Sequence, residues 1–99
     1  MLYAIICEDV KDSKPLRAKS RAAHMARLHE LRDLGRLILA GAFPAVDANE
    51  PGAAGVTGSL IVAEFDSLSE AQDWADSDPF YTSGVYQKIS VKPYKKALP

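Results

Sequence analysis

The chain has 99 residues, 47% of them hydrophobic and 25% charged, with a formal net charge of −1. This is the composition of one globular domain over residues 1–99, small enough to gain from burial against a partner chain. The near-neutral charge excludes a protein drawn by electrostatics onto nucleic acid or an anionic membrane surface.

Leu2 to Val10 reads as a strand, compact, rich in Ile and Tyr, and ended by charges. The opening MLYAIICEDV has neither a basic leader nor a cleavage site, and its apolar run is too short to span a bilayer. A cytoplasmic location is therefore expected. Cys7 is the only cysteine, which rules out an internal disulfide and points to a buried, inert thiol.

Ser13 with Pro15 marks a helix start, with Ser20 as the alternative cap. The helix turns Leu28, Leu31 and Leu34 inward and stops at Gly35. Arg36 to Gly41 is a second strand. Residues 44–58 form a 15-residue stretch of Pro, Gly, Ala, Asp and Asn, long for a domain of this size.

Ser59 to Phe65 is the third strand. Ser67-Leu68-Ser69-Glu70 is a capping box that opens a second helix through Trp74 and Ala75. Asp78-Pro79 breaks or restarts that helix, and Phe80 to Gly84 adds one further turn. Tyr86 to Tyr94 alternates as a fourth strand. Lys92, Lys95 and Lys96 are the only concentrated positive charge and read as a solvated tail.

The order β-α-β-β-α-β predicts a ferredoxin-like α+β sandwich. Strands one and three are apolar on both faces: Tyr3, Ile5 and Cys7 oppose Leu2, Ala4 and Ile6, and Ile61 and Ala63 oppose Leu60 and Val62. Two helices cover one face of a four-stranded sheet. The simplest cover for the other is a second copy, so a homodimer through that sheet face is expected.

Chemistry concentrates on the first helix and on one tripeptide. Arg17, Arg21 and His24, spaced by four and three residues, share a helical face that continues into Leu28 and Leu31. His24 therefore points toward the interior, where an imidazole needs a polar partner. Asp78, in the turn-like Asp78-Pro79-Phe80, is the candidate. A carboxylate on one ring nitrogen fixes the tautomer and leaves the other nitrogen free for general acid/base work. Arg17 and Arg21 become candidate anchors for an anion, since guanidinium groups grip planar anions with paired hydrogen bonds.

Each residue also has a plainer role open to it. His24 can be a core histidine bonded within the protein, Asp78 a helix cap, and the two arginines a solvated helix edge. Arg27, His29 and Arg32 fall outside the stripe and receive no role. Ser59 is a candidate hydroxyl at the pocket rim, with Thr57-Gly58-Ser59 allowing close backbone approach. Tyr3, Phe43 and Phe80 are candidate walls of an apolar pocket, with core packing the plainer role for each, and Phe80 is the one assigned to substrate contact.

No phosphate loop is present, because Gly52-Ala53-Ala54-Gly55 has no lysine after it and does not join strand to helix. Two histidines five residues apart suit zinc poorly, and no nucleophile elbow surrounds Ser59 or Ser83. Neither a metal nor an organic cofactor is expected.

A set of motifs carries a family resemblance. Met1-Leu2-Tyr3, His24 with Leu28, Gly35-Arg36-Leu37, Ala40-Gly41, Pro44-Ala45-Val46-Asp47 and Pro51-Gly52-Ala53-Ala54-Gly55 belong to it. So do Thr57-Gly58-Ser59, Ala63-Glu64-Phe65, Trp74-Ala75-Asp76 and Asp78-Pro79. Together they resemble the YciI-like (YCII-related) family, in its short, stand-alone bacterial type. The resemblance implies a ferredoxin-like fold assembled as a dimeric α+β barrel, with a His–Asp centre on His24 and Asp78. Proteins with that barrel include lactone isomerases, heme-degrading monooxygenases and enzymes linked to chloride removal from chlorinated hydroxyquinols.

The combined expectation is a homodimeric enzyme of lyase or isomerase type. His24 is its acid or base, Asp78 orients the ring, and Arg17 and Arg21 hold a small anionic or cyclic substrate. The alternative is a non-catalytic small-ligand-binding or interaction module on the same pocket. A third is a structural dimer in which His24 and Asp78 only satisfy each other.

Overall fold

The computed structural model describes residues 1–99. Strand β1 (Leu2–Asp9) leads into helix α1 (Lys14–Asp33) and strand β2 (Leu37–Pro44). Strand β3 (Val56–Glu64) leads into helix α2 (Leu68–Asp76), the single-turn helix α3 (Pro79–Thr82) and strand β4 (Tyr86–Tyr94). The strands form one sheet in the order β2-β3-β1-β4, every neighbouring pair antiparallel. This is the ferredoxin-like α+β arrangement. The two strands with apolar residues on both faces, β1 and β3, take its centre.

Strand alternation divides β1 and β3 between two environments. Tyr3, Ile5, Cys7, Ile61, Ala63 and Phe65 are buried against the helices, which add Leu28, Leu31, Ala71, Ala75 and Phe80 to the core. The opposite face carries no helix. There Ile6, Leu39 and Phe43 remain exposed, although Ala4 and Val62 in the middle of that face are buried. Phe43 thus belongs to the open face, and Tyr3 to the core, where it meets Phe65 edge-on at 6.3 Å. Neither is a wall of the cavity described below.

Helix α1 starts after Ser13, as the Ser-Pro pattern predicts, but the Ser13 hydroxyl does not cap a backbone N–H. It donates to the Asp9 carboxylate instead. Ser20 lies inside the helix and reaches Ser83 at 2.9 Å, so it is not the cap. At the other end Gly35 adopts φ 70°, which suits a glycine closing a helix, and Arg36 N–H returns to the Leu31 carbonyl at 2.9 Å. Leu34, expected inside, is exposed, because the helix has already ended at Asp33 beyond the sheet. The capping box at Ser67 forms, with the Glu70 N–H donating to Ser67 Oγ at 3.1 Å.

The stretch expected as a 15-residue loop over 44–58 is shorter in the structure. β2 extends to Pro44 and β3 begins at Val56, and the connection between them holds a 3-10 turn at Gly52–Ala54. Pro44 ends an edge strand, where its missing N–H costs no central ladder bond. Gly58, read as a site of close approach, is a strand residue pressed against β1. A Cβ there would sit 2.0 Å from the Cys7 carbonyl oxygen. Backbone, unlike a flexible side-chain tip, has no room to yield. Gly58→Ala is accordingly expected to lower the unfolding free energy by about 1–3 kcal/mol, measured by urea denaturation.

Candidate functional site

The buried polar and charged residues are Asp9, Ser13, His24, Ser59 and Asp78. All five fall into two hydrogen-bonded clusters on the helix-covered side of the sheet.

The first cluster joins His24 on the middle of α1 to Asp78 ahead of α3. His24 Nδ1 donates to Asp78 Oδ1 at 2.8 Å, with Oδ2 at 3.0 Å. A carboxylate in this position accepts, so the proton of a neutral ring belongs on Nδ1. Asp78 Oδ1 also accepts the Phe80 N–H at 2.9 Å, capping α3 with Pro79 in its first turn. The capping role and the partnership with histidine are therefore both real, and one carboxylate fills both. Phe80 lies flat on the imidazole, with ring centroids 3.9 Å apart and planes 12° from parallel. Nε2 makes no hydrogen bond within the protein and is not sealed from its surroundings.

The second cluster contains a residue that the sequence pattern did not single out. Asp9, on the last position of β1, grips Arg17 with both oxygens: Nε donates to Oδ2 at 2.7 Å and Nη2 to Oδ1 at 2.9 Å. Nη2 also donates to Ser59 Oγ at 2.9 Å. The guanidinium then lies 4.9 Å from the Phe80 ring centroid. Arg17 and Ser59 do border the cavity, yet Arg17 is neutralised and largely committed inside the protein, not a free anchor. The signal for Asp9 was its eight-residue separation from Arg17 across a strand-to-helix turn, a relation that helical spacing alone does not reveal.

A cavity of 450 Å³ opens between α1 and the sheet, with half of its lining apolar. His24, Arg17, Arg21, Ser59 and Phe80 all border it. So do His29 and Arg32, which were expected elsewhere. They flank the buried stripe by less than half a turn, and the edge strand β2 stands far enough from α1 to leave that flank facing space. Arg27 does lie apart: its Nη2 donates to the Trp74 carbonyl at 2.7 Å and the group stacks 4.3 Å over the Trp74 ring.

Beneath the cavity floor Cys7 is buried, and burial pushes its thiol from an ordinary 9.0 up to about 12, which leaves it protonated and inert near neutral pH. Burial likewise raises Tyr86, whose hydroxyl has no hydrogen-bond partner, with Ser59 alongside pulling the other way. The ring of Tyr86 meets Phe80 edge-on at 5.7 Å and completes the packing under the dyad. No helix of the chain is long and apolar enough to cross a membrane.

Fold and site together define a ferredoxin-like α+β protein with a helix-borne imidazole, paired to a carboxylate, at the border of a cavity. The YCII-related domain matches residues 1–95, and the chain belongs to that family. Protein YciI of Escherichia coli O6:H1 (strain CFT073) is 57% identical over 98 residues, covering 99% of this chain and 100% of that protein. An uncharacterized protein of Haemophilus influenzae (strain Rd) is 43% identical over the same span, with the same coverage. Among solved structures, 5-chloro-2-hydroxyhydroquinone dehydrochlorinase (TftG) from Burkholderia phenoliruptrix AC1100, in complex with 2,5-dihydroxybenzoquinone, superposes with a TM-score of 0.83. It is 26% identical, and the match covers 96% of this chain and 94% of that one.

The Asp9–Arg17 pair makes a direct prediction. The Asp9 side chain is 1% exposed and that of Arg17 14%. Removing one partner of such a pair strands the other charge, so Asp9→Asn is expected to cost about 3 kcal/mol in urea unfolding. Arg17→Met in the same chain should restore part of that loss.

Proposed function

We propose that this chain is a cytoplasmic small-molecule enzyme in which His24 exchanges a proton with substrate through Nε2. Asp78 holds the ring in the Nδ1–H tautomer and stabilises the imidazolium that forms when Nε2 takes a proton. The observation that carries the reading is the division of the imidazole. One nitrogen is tied to a buried carboxylate and the other is free toward a cavity.

The cavity has a cationic and apolar lining and no acidic side chain, which favours an anionic or enolic substrate with a cyclic body. Arg21 supplies the free guanidinium on the substrate side, Arg17 and Ser59 a fixed polar edge, and Phe80 an aromatic wall. Proton abstraction or return in a lyase or isomerase step suits this set. The name of the solved relative, a dehydrochlorinase, lends support to elimination chemistry. Hydrolysis is less well served, since the one hydroxyl at the cavity, Ser59, is bonded to Arg17 and not to His24.

Nitrogen-15 NMR of the imidazole reads the tautomer directly. Nδ1–H is expected in the wild type and a mixture of tautomers in Asp78→Asn. In turnover assays on chlorinated hydroxyquinols and small cyclic acids, His24→Gln is expected to lower kcat by about 10²–10⁴-fold while retaining binding. Full activity in that variant would remove His24 from the mechanism. Binding without any turnover by the wild type would instead favour the binding-module reading, for which the capping role of Asp78 is a sufficient reason to be buried.

Assembly enters the proposal through the open sheet face, where Ile6, Leu39 and Phe43 lie exposed. A second copy placed sheet to sheet covers all three at once and closes a dimeric α+β barrel. Sedimentation equilibrium should give a dimer, and Leu39→Glu should give a folded or partly folded monomer.

A further inference from the structure

The cavity is a groove along α1, not a pit over His24. Its border on that helix runs from Arg17 to Arg32, about 22 Å at ~1.5 Å of rise per residue. The opposite wall follows β2 from Ala42, paired with Ser59, to Leu37, paired with Ala63. Arg17 and Ser59 are bonded to each other, so they mark one end, and Arg32 and Leu37 mark the other.

Chemistry changes along this length. The inner end holds the neutralised Arg17 with Ser59, and His24 stands midway along the helix border. The middle is apolar, with Met25, Leu28 and Ile61. The outer end carries His29 and the guanidinium of Arg32. Arg32 touches Asp33 at 3.2 Å, but both side chains are more than half exposed, at 63% and 68%. Such a pair is worth little and exchanges readily for a ligand. Arg32 lies eight residues beyond His24, about 12 Å along the axis.

We infer that His29 and Arg32 form a distal anion subsite. The substrate class is then an amphiphilic acid: a cyclic head at Nε2 of His24, an apolar linker over Met25 and Leu28, and a carboxylate or similar anion at the outer end. The short side chain of Ala40 on the β2 wall, paired with Ile61, leaves the width for such a linker. This rests on the reading of the cavity as a substrate site. It adds what that reading lacks, a reason for cationic side chains so far from the dyad.

Calorimetric titration at low salt with benzoate and with 6-phenylhexanoate tests it. The longer acid reaches about 10 Å from ring to carboxylate, the order of the His24–Arg32 separation along the helix. The wild type is expected to bind the longer acid more tightly. Arg32→Gln should weaken 6-phenylhexanoate about tenfold and leave benzoate within about twofold. 6-Phenylhexanamide, which keeps the linker without the charge, should bind wild type and Arg32→Gln alike. No preference for the longer acid, or equal weakening of both acids by Arg32→Gln, overturns the subsite. The tautomer of His24 is read independently, so that failure is distinguishable from failure of the dyad.

Discussion

A carboxylate buried to 2% exposure must be paired, and the fold around Asp78 is arranged to pair it. One oxygen takes the Phe80 N–H, which forces the chain from extended backbone into α3, and both oxygens lie within bonding distance of His24 Nδ1. The turn delivers Phe80 onto the imidazole face, and Phe80 in turn packs against Tyr86 at the start of β4. The connection between α2 and β4 is thereby fixed by the group that orients the ring. Loss of the carboxylate would loosen a helix, an aromatic stack and a tautomer at once.

Asp9 repeats the arrangement with a guanidinium as its partner. Both buried carboxylates are answered from α1, two turns apart, one by a guanidinium and one by an imidazole. A guanidinium keeps its charge at any physiological pH, whereas an imidazole gains and loses a proton there. The first pair is thus a fixed strut between β1, α1 and β3, and the second sets an imidazole at the border of the cavity. The stripe of arginines and histidine visible in the sequence is therefore not one functional unit. Its first member is structural support for the third.

Much of this was legible because local signals agreed with tertiary packing. The β-α-β-β-α-β order, the stop at Gly35, the capping box at Ser67 and the inward direction of His24 all follow from spacing and caps, and each is set by its own neighbourhood. The His24–Asp78 contact was legible for another reason: an inward imidazole demands a partner, and few polar residues sit in turns close enough to the core. Asp9 escaped because its partner lies across a strand-to-helix junction whose geometry spacing does not define. The ends of β2 and β3 escaped because glycine, alanine and proline carry weak strand preference. Here the close approach of Gly58 to the Cys7 carbonyl and the edge position of β2 override it. His29 and Arg32 escaped because a helical wheel says which side a residue faces, not whether a neighbour stands there.

That last point explains why a cavity exists at all. α1 sends Leu28 and Leu31 into the core, and β2, the strand it lies beside, is an edge strand. An edge strand bearing Leu or Ile opposite α1 would fill the gap with side chains. This one bears Ala40 and Ala42 along the cavity wall instead, and the space stays open. The groove and its cationic borders thus have one origin, an edge strand that meets α1 with alanines and leaves the space between them unfilled.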